Sequence, residues 1–319
     1  MAGTAIPTTI FLLAATQAVM CNMVSTEPRN FFPDVKGNLT KIVWAHAVNS
    51  KAELEAVLSS DDIMMLEADV VMGKLNETNN SSVTEIPIMA HPPAEESDLS
   101  LEEFLNSTIQ SNGTKGIKLD FKSIQAFNKS KPILTKFRPN LKFPVFINAD
   151  IIPGPVNATT TPVNANDFLK GVMETIPECI LSVGWTTRYG KKDGVTEGRY
   201  LPSQIKMMTD ALTDNQVKQS VTYPVRAGLA ANDIEVMKKL LNGTTTSSNA
   251  TLTIWSSEGD FVDVAQLKKL MADVGVDKIY LDVPEDLRKQ INHSGAPAAL
   301  GSATMLVTSV VLGLILSTL

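Results

Sequence analysis

The sequence is poor in the residues that would announce its chemistry. It has two cysteines in 319 residues, Cys21 and Cys179. That number builds no disulfide framework, so an apolar core must hold the fold. It has three histidines, His46, His91 and His293. Together the two residue types are too few for a zinc-type cluster. There is no basic excess: 28 basic residues face 34 acidic ones, a net charge of −6. A nucleic-acid partner is excluded on that ground, because nothing would neutralise a phosphate backbone. Glycine and proline, 18 and 17, are too few for a collagen-like or low-complexity chain. No GxGxxG follows the first predicted strand, so the phosphate fingerprint of a doubly wound dinucleotide fold is missing.

Charge is also absent from both ends. Residues 1–21 contain no Asp, Glu, Lys or Arg and carry the short apolar run IFLLAA at 10–15. This reads as a secretory signal that lacks the usual basic start, too short to span a bilayer. Residues 295–319 are again uncharged. Ser294, Gly295 and Ala296 are small, 297–304 form a spacer, and 305–319 are an apolar tail with no Lys or Arg after it. These are the parts of a GPI-anchor signal with Ser294 as the attachment residue; a short hydrophobic anchor is the alternative. The expected location is the secretory pathway and then the outer face of the plasma membrane, or secretion.

Asparagine usage agrees with that route. Asn-x-Ser/Thr occurs at Asn38, Asn76, Asn79, Asn80, Asn106, Asn112, Asn128, Asn157, Asn242, Asn249 and Asn292, 11 of the 20 asparagines. Such an excess predicts a glycoprotein with these positions on exposed surface. The runs 76–84 and 242–251 read as glycosylated loops. Cys179 precedes an apolar strand and reads as a buried thiol.

The middle, 22–294, alternates two hydrophobic periods. Strands are predicted at 41–46, 63–71, 116–121, 143–150, 180–186, 220–225, 250–256 and 278–283. Helices are predicted at 50–58, 123–137, 165–176, 201–212, 230–241 and 262–274. An extra strand at 86–91 follows the second one as a hairpin insertion, and a helix at 99–109 comes next. Alternation of this kind means a parallel sheet with helices outside. Eight repeats in about 250 residues predict one α/β domain, a TIM-type (β/α)8 barrel.

In that barrel chemistry sits at the C-terminal strand ends, and residues two apart share a face. His46 ends strand one. Glu67 and Asp69 end strand two, and His91 ends the insertion. Lys118, Asp120 and Lys122 share one parity on strand three. Asn148 and Asp150 end strand four, and Tyr280 and Asp282 lie on the last strand. Trp185 and Trp255, near their strand ends, are candidates to line a lipid or sugar pocket.

Three carboxylates, Glu67, Asp69 and Asp120, would repel one another in one mouth without a cation. Mg²⁺ or Ca²⁺ suits their hard oxygens. The alternative is an ordinary ion-pair cluster with Lys118 and Lys122. With an ion bound, His46 and His91 would act as acid and base on a phosphodiester, and Lys122 would contact the phosphate.

These positions resemble the PLC-like phosphodiesterases, in particular glycerophosphodiester phosphodiesterases and spider-venom phospholipase D enzymes. Those families show a His after strand one, E-x-D after strand two, a His after a hairpin strand and E/D-x-K on strand three. TLTIW (251–255) and GVDKIYLDVP (275–284) resemble their last two strands. The enzymes read H-R-G at the first His and H-D at the second. Here the chain reads His46-Ala47-Val48 and His91-Pro92, so one arginine contact to phosphate is missing.

More specifically, the blocks WAHAVNSKAEL (44–54), DIMMLEADV (62–70), PIMAHPP (87–93), KGIKLDFKS (115–123), FINAD (146–150), LSVGWTT (181–187) and YPVRA (223–227) are similar to the menorin family. The resemblance implies a barrel with a phosphodiesterase-type metal site. Lys118, Asn148, Asp150, Trp185, Arg226, Trp255, Tyr280 and Asp282 would then contact the substrate. It also implies a role in neuronal patterning and adhesion complexes, through cell-surface partners rather than catalysis. Two functions therefore compete: hydrolysis of a glycerophosphodiester or phospholipid head group, and a non-catalytic surface ligand or co-receptor.

Overall fold

The computed structural model describes residues 26–76, 84–111, 113–244 and 250–293. Both uncharged ends, and with them Cys21, Ser294 and the sequons Asn79, Asn80, Asn112 and Asn249, lie outside the described residues.

Ten strands form one sheet. They are β1 (Trp44–Ala45), β2 (Met65–Leu75), β3 (Ile86–Met89), β4 (Glu96–Ser97), β5 (Gly116–Phe121), β6 (Val145–Ile152), β7 (Ile180–Trp185), β8 (Val221–Arg226), β9 (Ala250–Trp255) and β10 (Ile279–Asp282). The order β1-β2-β5-β6-β7-β8-β9-β10 is parallel throughout. β3 folds back antiparallel on β2, with Val70 opposite Met89, which is the expected hairpin insertion.

The helices of eight or more residues are α1 (Lys51–Leu58), α2 (Leu101–Gln110), α3 (Ile124–Phe137), α4 (Ala165–Thr175), α5 (Pro202–Asp214), α6 (Ile234–Gly243), α7 (Val264–Val274) and α8 (Glu285–His293). Six begin on a capping side chain: Ser50, Ser100, Ser123, Asn164, Asp233 and Asp263 each accept from a backbone N–H in the first turn. Such caps fix where the helix starts, and so how closely it follows the strand end before it. β5 ends at Phe121, Lys122 follows, and Ser123 already caps α3.

The alternation of side chains sorts the residues of each strand. Leu66, Ala68 and Val70, Ile117, Leu119 and Phe121, and Ile147 and Ala149 belong to one large core between sheet and helices. The opposite parity points into the barrel. Its floor is a separate apolar plug in which Trp44, Met65, Phe146, Ile180 and Tyr280 meet Phe32, Val35, Leu39 and Ile42 of the entering chain. Above the plug the interior turns polar. Ser182 donates to Asn148 at 2.6 Å, and Thr222 and Thr253 bond at 2.8 Å. A barrel interior is ordinarily filled by branched apolar residues, so this polarity is the first structural sign of a site.

The cylinder is nearly closed. Among the described residues β10 and β1 share no ladder pairing, and side chains bridge that seam. Trp44 meets Tyr280 edge-on, with ring centres 6.2 Å apart. Arg288 of α8 donates to the Thr40 and Leu281 carbonyls. No helix among the described residues is long and apolar enough to cross a membrane.

Of the described sequons, Asn76, Asn106, Asn128, Asn157, Asn242 and Asn292 are exposed. Asn38 is half-buried and bonds Thr40, capping a short 3-10 turn. Asn242 corrects one expectation: it lies in the last turn of α6, not in a loop. Cys179 is a buried free thiol, with its pKa pushed up by burial.

Candidate active site

β2 and β5 pair in a register that sets Glu67 beside Lys118 and Asp69 beside Asp120, while β6 sets Asn148 beside Asp120. Basic and acidic groups thus alternate along β5 and just beyond it, as Lys118, Asp120 and Lys122, while across the wall the carboxylates of Asp69 and Asp120 stand side by side. Glu67, Asp69 and Asp120 each bring a carboxylate oxygen within 4.8 Å of the other two. Lys122 lies between two of them, its Nζ 2.7 Å from Asp69 Oδ1 and 2.5 Å from Asp120 Oδ2.

Each carboxylate is held by a further donor. Ala47 N donates to Glu67 Oε2 at 2.8 Å. Asn49 Nδ2 donates to Asp69 Oδ2 at 2.8 Å, and Asp69 N donates back to Asn49 Oδ1 at 2.9 Å. Asn148 Nδ2 donates to Asp120 Oδ1 at 2.6 Å. Ala47 takes φ +56° to deliver its N–H. An L-residue held in that left-handed region costs about 1 kcal/mol.

His46 crosses the seam. Its Nδ1 lies 3.1 Å from Asp282 Oδ2 and 3.5 Å from Glu67 Oε2, while 57 % of the side chain stays open to solvent. Burial pulls its pKa down, but the two carboxylates outweigh burial and lift it to about 9. At neutral pH this imidazole keeps its proton. Asp282 is held below the usual carboxylate range because His46 outweighs its burial. Burial holds Glu67 above that range against His46 and Lys118. Lys122 drives Asp120 down to about 2 despite burial. Lys118 is raised because Glu67, Asp282 and Asp120 outweigh its desolvation. Asp150 is pushed up to about 7 by burial and then by Asp120.

A family model described as the menorin N-terminal domain matches residues 38–288. The chain belongs to the menorin family. The human protein named "Protein FAM151B" is 37 % identical over 245 residues, 77 % of this chain and 83 % of that protein. Among solved structures, the GH26 domain of an endo-beta-mannanase/endo-beta-glucanase from Prevotella bryantii aligns with a TM-score of 0.43 at 8 % identity, over 81 % of this chain and 91 % of that one. The GH53 catalytic domain of Ignisphaera aggregans aligns with a TM-score of 0.40 at 9 % identity, over 77 % and 84 %. The barrel itself rests on the strand pairings described above.

In this menorin-family barrel the mouth collects His46, Glu67, Asp69, Lys118, Asp120, Lys122, Asn148, Asp150 and Asp282, as their strand ends predict. Other expected residues fall elsewhere. His91 is exposed, and its Nδ1 bonds the Pro92 carbonyl at 2.7 Å. The structure shows no contact between it and the carboxylates. Trp185 does not line the mouth. It shares the outward parity of Val183, donates Nε1 to the Gln204 carbonyl and packs on Tyr200 and Tyr223. Tyr280 faces inward but one layer too low, inside the floor plug.

Arg226 sits at the rim with three of its five N–H donors engaged. It grips Asp260 with two 2.8 Å bonds, reaches Thr187, and lies over Trp255 and Tyr189. It is a clamp on the loops after β7 and β9, not a free substrate contact. Trp255 is half-buried beneath that guanidinium. Beside the mouth a cleft of about 200 Å³, lined by Ser256, Asp260, Phe261 and Asp286, shares Asp260 with the clamp but none of the carboxylate cluster.

Sequence reasoning missed Asn49, Ser182 and Asp260. Asn49 had a signal, since it follows His46 by three residues and immediately precedes the Ser50 cap of α1. Ser182 and Asp260 had none without the register.

Proposed function

We propose that this chain is a cell-surface phosphodiester-binding barrel that hydrolyses a glycerophosphodiester or phospholipid head group with the help of Mg²⁺ or Ca²⁺. The observation that carries the reading is the convergence of Glu67, Asp69 and Asp120 on one point, with Lys118 and Lys122 beside them. The donor set fits a hard divalent cation: three carboxylates, all oxygen, and neither Cys nor His among them. Lys122 already touches two of these oxygens, so an ion would compete with its ammonium or turn it outward, toward a ligand. A bound divalent ion supplies charge neutralisation at a phosphoryl oxygen.

The chain's own groups supply a proton donor for the leaving alcohol, positive charge for the anion and the positioning of the carboxylates. Asp282 and Glu67 keep His46 protonated at neutral pH, so its free Nε2–H is placed to donate a proton to a departing alkoxide. Lys118 and Lys122 offer positive charge to the anion. Asn49 and Asn148 hold Asp69 and Asp120 in position.

Thermal denaturation with Mg²⁺ and Ca²⁺, run beside a panel of glycerophosphodiesters and lysophospholipids, tests the reading. The expected result is stabilisation and turnover in the wild type. Glu67→Gln loses both, and His46→Ala loses turnover alone. No stabilisation and no turnover in the wild type would refute it.

A second reading, a non-catalytic ligand or co-receptor in adhesion or patterning, is favoured by one observation: His91 stands apart from the carboxylates. Capture of a cell-surface partner that survives His46→Ala would support it. Both readings place the chain outside the cell, tied to the membrane by a C-terminal lipid. Release from cells by phosphatidylinositol-specific phospholipase C checks the anchor.

A further inference from the structure

The mouth has two unlike walls. β2 and β5 carry the carboxylates and lysines. Across β7 and β8 the corresponding inward positions are Gly184 and Pro224, without charge. Between them and the charged wall stands Asp150 of β6, paired with Gly184 in the ladder. Among the described residues its carboxyl accepts no hydrogen bond and joins no ion pair.

Gly184 has no conformational need to be glycine, since its φ is not positive. Its need is spatial. A Cβ there would lie 2.6 Å from Asp150 Oδ1 and 2.9 Å from Pro224 Cγ. The strand has thus given up a side chain next to a carboxyl that has no hydrogen-bond partner among the described residues and feels Lys118 and Lys122 only through space. This carboxyl is half-buried rather than sealed, so a ligand in the mouth can reach it, and burial and Asp120 both penalise its charge until one does.

We propose that Asp150, in the space left by Gly184, is a specificity-determining residue that hydrogen-bonds a hydroxyl group on the alcohol portion of the ligand. The inference rests on the phosphodiester reading above. The phosphoryl group is drawn to the cationic groups of the β2–β5 wall, and the esterified alcohol then extends toward β6 and β7. A hydroxyl suits Asp150 better than an ammonium, because Lys118 and Lys122 already face the same space. A hydroxyl donates to a carboxylate without adding charge.

The test compares glycerol 3-phosphate with propyl phosphate, which lacks the two hydroxyls, in titration calorimetry on the full chain with Mg²⁺. The wild type is expected to bind glycerol 3-phosphate about tenfold more tightly, the effect of one or two charge-assisted hydrogen bonds. In Asp150→Ala the ratio between the two ligands closes to within about twofold. The same variant should unfold at or above the wild-type temperature, which a packing role for Asp150 would not allow. Gly184→Ala should close the gap too. Should that variant fail to fold, Asp150→Ala decides the matter.

Equal binding of the two ligands by the wild type, or a gap that survives Asp150→Ala, overturns the inference and leaves the phosphoryl reading standing. If neither ligand nor inorganic phosphate binds in Mg²⁺, the phosphodiester reading fails and this inference falls with it.

Discussion

Replacing Lys122 by methionine keeps an unbranched side chain one atom shorter and removes its charge. In the folded protein that charge, helped by Lys118 and the Asn148 hydrogen bond, holds Asp120 at about 2 against an ordinary 3.8. A depression of nearly two units corresponds to about 2 kcal/mol. The second contact, to Asp69 at 2.7 Å, adds to it, and stripping one partner from a buried pair costs about 3–5 kcal/mol in general. The expected loss for Lys122→Met near pH 7 is therefore about 2–4 kcal/mol, or about 5–10 °C for a domain of this size.

The sign with pH follows from the direction of the shift. In the wild type the folded pKa of Asp120 is depressed, so its contribution is present above 3.8 and disappears as pH falls through about 2. In Lys122→Met the carboxyl loses its cation and titrates higher. The deficit should be largest near neutrality and shrink as pH approaches about 4. Divalent ion should also restore the variant more than it raises the wild type, because no ammonium competes; at a hundred times Kd the gain is about 2.7 kcal/mol. Calorimetric scans at pH 4 and 7, with chelator and with Mg²⁺, read all three effects. A variant that melts within about 1 °C of wild type at pH 7 would refute the reasoning, because the pair would then carry no net stability.

Two further outcomes follow from the same electrostatics. NMR titration should place the His46 imidazole near 9, and Asp282→Asn should lower it by about one unit or more. Because that pKa is raised on folding, the stability it brings is complete below 6.5 and fades as pH rises through about 9. A wild-type value near 6.5 would rule out the charge pairing across the seam. Arg226→Lys keeps a positive charge but loses the paired grip on Asp260 and the flat stack on Trp255. Urea unfolding should show a loss of about 2 kcal/mol, and a loss below about 0.5 kcal/mol would mean the clamp is decorative.

What the sequence revealed and what it hid divide along one geometric line. Parity along a strand is visible in one dimension. Once β2, β5 and β6 were recognised as strands, Glu67 and Asp69, Lys118 and Asp120, and Asn148 and Asp150 each had to share a face. The same rule, applied more strictly, would have turned Trp185 outward, since it matches Leu181 and Val183 rather than Ser182 and Gly184.

Depth along the barrel axis is different. Tyr280 has the same parity as Asp282, yet one lies in the floor and the other meets His46. That depth is set by the stagger between neighbouring strands, a property of pairs of segments far apart in the chain. β1 shows the same limit. Six residues read as strand, but the chain enters through a 3-10 turn capped by Asn38, and only Trp44–Ala45 pair with β2. The placement of Lys122 between Asp69 and Asp120 depends on stagger as well, because those two carboxylates are ladder partners and a register shift of two residues would part them, setting Asp69 opposite Lys118 or Lys122 instead. The composition of the mouth is therefore readable from residue types and parity. Its charge balance is a consequence of register, and a substitution that let β5 slip against β2 would dismantle the site without changing one of its residues.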